Sequence, residues 1–220
     1  MEYWLEFELL KHAKGRAYAM QRNRLLQTPA GLEMRLEPFL GRDDWLSAVT
    51  AHIILGWIRH QDAFGTVLKN LNEEDMGKAR ESLLGMNVIY KKYRHFARKY
   101  GTAVLPFAWE MLLKQEGEVE EWKLIAMTHM IAEVPHPLSV ETLIRFIEDT
   151  SNDDLRDAGV SSLVQVTDER VIEKVISART HHGILKDEFS QVVDEVEERG
   201  SGAGEEEEEE DEEEDEDDGN

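Results

Sequence analysis

A pattern that occurs twice in the sequence constrains the fold of this chain more than any other feature. Two acids and a tryptophan, Asp43-Asp44-Trp45, return as Glu120-Glu121-Trp122, an offset of 77 residues. In this register His52 matches His129, and a weaker third copy begins at Asp153-Asp154-Leu155. Self-similarity at a spacing of about 30–40 residues is typical of stacked helical repeats. The sequence therefore predicts an array of helix pairs, with residues 73–115 occupying the place of a divergent unit between the two tryptophan-bearing copies.

Apolar residues at helical spacing, together with capping residues, predict helices along the rest of the chain body. No alternating strand pattern of useful length interrupts them, so we expect an all-α fold. The expected helices are 2–27 with a break near Gly15, about 29–40 after Thr28-Pro29, Trp45 to about Ile58, Asp62 to Leu71, Glu73 to about Tyr100, Val104 to Leu112, Trp122–Val134, a helix capped by Ser139, one starting at Asn152 or Asp153, one capped by Thr167, and a terminal helix from Ile184 to about Glu198.

The net charge of −22 is concentrated at the C-terminus. Residues 205–218 are an unbroken run of 14 acids, and without them 33 acids stand against 25 bases, a balance of −8. We therefore divide the chain into a helical repeat domain, 1–199, and a Gly/Ser linker with a disordered acidic tail, 200–220. An acidic body disfavours general binding to nucleic acid, which depends on cationic surface.

Composition also limits the class of protein. The chain has no cysteine, which excludes disulfides and thiolate chemistry and suits a reducing compartment. The N-terminus carries acids where a signal peptide has bases, and no apolar run approaches the roughly 20 residues of a membrane span. We expect a cytoplasmic protein without a membrane segment, and no motif in the sequence calls for a metal or another cofactor.

Two stretches carry a resemblance to a known family. Residues 36–45, Leu-Glu-Pro-Phe-Leu-Gly-Arg-Asp-Asp-Trp, and residues 146–155, Phe-Ile-Glu-Asp-Thr-Ser-Asn-Asp-Asp-Leu, resemble HEAT-like repeats of the bilin-lyase type, over roughly 30–80 and 118–179. The resemblance implies a short right-handed α-solenoid of HEAT-like helix pairs. It leaves function open, because this family includes protein-binding scaffolds, chromophore-attachment lyases and a branch of alkylpurine DNA glycosylases.

The tryptophans and histidines of the repeat allow two interpretations. Trp45 and His52 share one helical face, as do Trp122 and His129, and such a face could form a recognition surface or a groove for a damaged nucleotide. However, Leu-Ser and Lys-Leu follow the two tryptophans, where a DNA-facing helix would carry paired arginines. We favour the alternative that these rings fill equivalent positions between repeats and hydrogen-bond to nearby backbone.

The best surface candidate is a run of cations between tyrosines, residues 90–100. Helical spacing puts the tyrosines toward the core and the cations toward solvent. This cationic strip could bind phosphate, nucleic acid or an acidic protein surface, could attract the acidic tail of the same chain, or could be an ordinary solvated helix face. Its partner-binding residues would be Lys91, Lys92, Arg94, Arg98 and Lys99.

The functional hypothesis that follows is a non-enzymatic adaptor that docks a macromolecular partner, most simply a protein, with the acidic tail tuning the contact. One alternative is an immunity or inhibitor protein for a basic toxin or nuclease. Another is a HEAT-like-repeat DNA glycosylase or other enzyme acting on nucleic acid. We find no catalytic residue set in the sequence, and nothing in it indicates an oligomeric state.

Overall fold

A computed structural model describes residues 2–27, 30–41, 44–71, 83–115 and 120–166, together with the isolated position Asp194. Across these residues the chain is α-helical and contains no strand, which confirms the predicted all-α class. None of the described helices combines the length and the apolar character that crossing a membrane demands. The helices are α1 (Glu2–His12), α2 (Gly15–Leu26), α3 (Leu32–Leu40), α4 (Trp45–Arg59), α5 (Gln61–Leu71), α6 (Leu83–Tyr100), a 3-10 turn (Gly101–Val104), α7 (Leu105–Lys114), α8 (Glu121–Ala132), α9 (Pro137–Asp149) and α10 (Asp153–Val166).

Local sequence signals explain several of the boundaries. The predicted break near Gly15 is confirmed, because α1 ends at His12 and Gly15 takes a left-handed φ of 58° as α2 begins. Glycine adopts this conformation without the steric cost that other residues meet. Asn152 caps α10 as expected, since its Oδ1 accepts the backbone N–H of Leu155 at 3.2 Å.

Two predicted helix starts are wrong. The helix expected from about residue 29 begins at Leu32, because Gly31 at its N-cap is left-handed with φ 75°. The helix expected to be capped by Ser139 begins at Pro137, and the His136 side chain accepts the N–H of Leu138 at 3.1 Å. The predicted helix from Thr167, the linker, the acidic tail and all of the terminal helix except Asp194 lie outside the described residues.

Helix α4 links the two halves of the described body. It is apolar on nearly every side, which is the pattern of a helix buried all round. Ala51, Ile54 and Leu55 pack with α1, α2 and α3, whereas Val49 and Ile53 belong to a second cluster that extends through α5–α10. All five side chains are almost fully buried.

Helices α4, α7, α8 and α10 contact one another in series, and α3, α6 and α9 pack against this row. Helices α4 and α8 carry the repeat tryptophans Trp45 and Trp122. The helix between them is therefore α7, the second helix of the predicted intermediate unit. The right-handed solenoid of HEAT-like pairs stays a prediction.

The contact between α4 and α7 depends on a glycine. A Cβ atom at Gly56 would lie 2.5 Å from Cβ of Pro106 and 3.0 Å from Cζ of Phe64. Both distances are well inside normal van der Waals contact, so the missing side chain lets the two helices approach closely.

We expect Gly56→Ala to destabilise the protein by about 1–3 kcal/mol, because overpacking at Pro106 outweighs the roughly 1 kcal/mol that alanine gains over glycine in a helix. Gly65→Ala on α5 is the matched control, since a Cβ there meets no atom within 4 Å. It should be neutral or slightly stabilising. Urea denaturation measures both, and equal effects at the two positions would contradict the packing argument.

Candidate functional site

The cationic strip lies on the solvent side of α6. Tyr93 and Ala97 on the opposite side are fully buried, which confirms the predicted orientation of the helix. Lys91, Arg98 and Lys99 are exposed, and Lys92 and Arg94 are half-buried. Lys99 also lies over the ring of Tyr100, with Nζ 5.1 Å from the ring centroid.

A carboxylate from the neighbouring helix holds the two arginines of the strip. Glu133, the C-cap residue of α8, accepts a hydrogen bond from Nε of Arg98 at 2.9 Å and forms an ion pair with Arg94, whose Nε lies 3.2 Å from Oε1. The Glu133 side chain is only 15% exposed, so its position is set by packing. Arg94 reaches further to Oε1 of Gln165 on α10 at 3.4 Å. The strip is therefore anchored by α8 and α10, through residues that the sequence did not single out.

The repeat tryptophans and histidines do not form one surface. Trp122 is buried, and half-buried Trp45 packs against the same cluster with the guanidinium of Arg145 6.0 Å from its ring centroid. These placements agree with a packing role. The expected backbone hydrogen bond exists for His52, whose Nδ1 lies 2.9 Å from the carbonyl oxygen of Ala48. The predicted hydrogen bond is absent for Trp45 and Trp122, because the indole nitrogen of each has no partner among the described residues, and Nδ1 of His129 has none either.

The two repeat histidines have different neighbours. His129 lies beneath the strip, with its ring 4.6 Å from that of Tyr90, and its pKa is lowered by burial and by the positive charge of Arg94. His52 lies beside His136 instead, with ring centroids 5.9 Å apart. Both line a cavity of about 250 Å³ that also contains Trp109.

A buried carboxylate on α7 is the main polar feature that the sequence reading missed. Glu110 is 7% exposed and accepts hydrogen bonds from Tyr18 Oη at 3.0 Å, from Trp57 Nε1 at 2.6 Å and from the guanidinium of Arg22. Burial raises the pKa of Glu110, and these donors oppose the rise. The guanidinium of Arg22 also stacks over Trp57, 4.3 Å from the ring centroid.

These side chains line a cleft of about 370 Å³ between α2, α4 and α7. The aromatic rings could attract a cation, but Arg22 already lies over Trp57 and pairs with the carboxylate. The polar groups of the cleft therefore satisfy one another, which is the arrangement that a buried ion pair needs to be tolerated. We assign this cluster to the joining of helices.

One turn further along α7, the side chain of Lys114 attaches α7 to α1. Its side chain is 3% exposed, and Nζ donates to the carbonyl oxygens of Leu10 and Lys11 in the last turn of α1. A cation is favourable there because the C-terminus of a helix carries partial negative charge. Burial nevertheless lowers the pKa of Lys114 to about 8.

No cluster of three or more histidine, aspartate or glutamate side chains that could hold a metal ion occurs in the described part of the chain. Comparisons with protein-family models, curated proteins and solved structures give no match to this chain. The HEAT-like resemblance accordingly stays a prediction.

We expect Glu110→Gln to destabilise the protein by roughly 3 kcal/mol, because it leaves the guanidinium of Arg22 without its charge partner in a buried setting. Glu33→Gln is the control, since the Glu33–Arg59 pair is exposed on both sides and should change stability by less than about 1 kcal/mol. Chemical denaturation at pH 7 compares the two variants. Similar losses would mean that the Glu110 cluster is no more important than a surface pair.

Lys114 should make stability rise with pH. Between about pH 8 and the ordinary lysine pKa of 10.5, the unfolded chain keeps a proton that the folded chain has lost, so rising pH favours the folded state. The gain is on the order of 3 kcal/mol. The free energy of unfolding of the wild type minus that of Lys114→Met should increase from pH 7 to pH 10. The same difference for the exposed-site control Lys69→Met should stay constant. A constant difference from both variants would contradict the lowered pKa.

Proposed function

We propose that this protein is a non-enzymatic scaffold that docks an acidic macromolecular partner, most simply a protein, on the cationic strip of α6. In this proposal the acidic tail, residues 205–218, weakens the contact by competing for the same cations. The observation that supports it best is the anchoring of Arg94 and Arg98 by the largely buried Glu133.

Anchoring matters because a flexible cation loses conformational freedom when it binds. Immobilising a long side chain at an interface costs about 0.5–1.5 kcal/mol, and Glu133 has already restricted both arginines before a partner arrives. A guanidinium has five N–H donors, so one shared carboxylate leaves each arginine with donors for a second one. The strip is thus partly preorganised for carboxylates.

Charge balance favours an acidic partner over a basic one at this surface. The strip carries five cations, Lys91, Lys92, Arg94, Arg98 and Lys99, and the carboxylate of Glu133 pairs with two of them. The acidic tail carries 14 carboxylates on a glycine-containing linker. Since salt screens exposed charges beyond about 10 Å at 0.1 M, competition by the tail should weaken as ionic strength rises.

The test uses full-length protein and a labelled peptide with the sequence of residues 205–218 as an acidic probe. A variant in which the tail acids are changed to glutamine and asparagine should bind this peptide more tightly than the wild type in fluorescence anisotropy at 50 mM salt. Adding Lys91→Glu, Arg98→Glu and Lys99→Glu should weaken binding by about 3-fold to 150-fold, given roughly 0.2–1 kcal/mol for each of three exposed charge pairs.

The matched control reverses three exposed cations outside the strip, Arg16, Arg24 and Lys69, for the same change in net charge. Equal loss in both triple variants, or no binding by the neutral-tail variant, would overturn the proposal. Tighter binding to duplex DNA than to the peptide would point to the nucleic-acid alternative. Binding of polylysine that depends on the tail but not on the strip would point to the inhibitor alternative.

A further inference from the structure

The histidine pair beside Trp109 is the second feature with the properties of a binding site, and it is independent of the strip. His52 lies on α4, and His136 precedes α9 as its N-cap. Their rings are 5.9 Å apart, and the ring of Trp109 lies 6.0 Å from His52 and 5.2 Å from His136. Three flat rings from three different segments therefore meet at one cavity.

The backbone fixes opposite tautomers in the two imidazoles. Nδ1 of His52 faces the carbonyl oxygen of Ala48, which can only accept, so this nitrogen carries a proton and, in the neutral ring, Nε2 has the lone pair. Nδ1 of His136 accepts the N–H of Leu138, so its proton is on Nε2. Burial and the neighbouring His52 lower the pKa of His136, which keeps the ring neutral near pH 7. One ring thus offers an acceptor and the other a donor.

This combination argues against a metal ion. A metal needs a lone pair from each ring, and Nε2 of His136 presents an N–H instead. It also argues against a simple carboxylate, which has two acceptors and would face the lone pair of His52. A group that suits both rings has one N–H donor and one acceptor side by side, as a primary carboxamide does.

The rest of the cavity selects for a small and flat ligand. Its volume is about 250 Å³, and Leu40, Leu55 and Pro106 form an apolar part of its wall next to the indole of Trp109, while polar groups line the rest. Arg59 and His60 are the other charged or titratable groups that line it, and Arg59 is paired with Glu33 at 3.0 Å. Apolar walls with a few oriented polar groups are the usual composition of a small-molecule site.

We propose that this cavity binds a small planar carboxamide, with the ligand N–H₂ donating to Nε2 of His52 and the ligand carbonyl accepting from Nε2–H of His136. The aromatic part of the ligand would pack against Trp109 and the apolar wall. Because the site lies on α4, α7 and the start of α9, it can be tested without reference to the strip.

The first measurement is of the tautomers. In ¹⁵N-histidine-labelled protein at pH 7.5, the ring nitrogen shifts should report an Nδ1–H form for His52 and an Nε2–H form for His136. Signals are assigned from His52→Gln and His136→Asn, and the second change keeps the cap, because asparagine is a favoured N-cap residue that can accept the N–H of Leu138. The same tautomer in both rings would overturn the proposal.

The second measurement is of binding, with nicotinamide as the probe and nicotinate as its acceptor-only analogue. Nicotinamide should shift the signals of both rings, with a dissociation constant of roughly 1 mM for so small a ligand. Nicotinate should bind at least about tenfold more weakly.

Variants then test whether each of the two rings makes a hydrogen bond with the ligand. Either His52→Gln or His136→Asn should weaken nicotinamide binding about tenfold, the effect of one lost hydrogen bond, and the exposed-site control His95→Asn should leave it unchanged. Equal binding of amide and acid, the same loss in all three variants, or no response at 20 mM nicotinamide would overturn the proposal.

Discussion

The ion pair between Glu110 and Arg22 is the interaction on which the arrangement of the described body most depends. Glu110 belongs to α7, and its three hydrogen-bond donors come from α2 and α4. A buried carboxylate is tolerated only when such donors offset the loss of water, so the three helices cannot separate without exposing an unsatisfied charge. The polar cluster thus fixes the relative positions that the apolar side chains alone would leave less defined.

The polar groups of the described body are of two kinds, which differ in what they face. Those of the Glu110 cluster face one another across a cleft and hold helices together. The cations of the strip face solvent, and the histidine pair faces a cavity whose wall is partly apolar. In each of the last two places the protein itself fixes the orientation of the groups, through Glu133 in one case and through backbone hydrogen bonds in the other. This prior ordering makes them the better candidates for binding.

Periodic and local features were predictable from the sequence, and long-range polar contacts were not. The buried side of α6 follows from aromatic and small residues at helical spacing, and the break at Gly15 follows from the glycine itself. Glu110 is the only charged residue in the apolar run 104–113, which indicates burial, but its partners lie 53 to 92 residues away in the chain and no local pattern identifies them. His136 was hidden between two prolines that indicated only a helix end. A histidine cap is also uncommon, so the usual capping residues pointed to Ser139 instead.

The attachment of α1 to α7 has a consequence for the order of folding during synthesis. Lys114 and the carbonyl oxygens it binds are 103 and 104 residues apart in the chain. Helix α1 leaves the ribosome before α7 and can reach this partner only after about 100 further residues have been made. At roughly 5–20 residues per second, the C-terminal end of α1 waits about 5–20 s for this cation. Phe7 and Leu10 can be covered earlier, because they pack with side chains of α2, α3 and α4, so the polar contact completes an attachment that the apolar contacts begin.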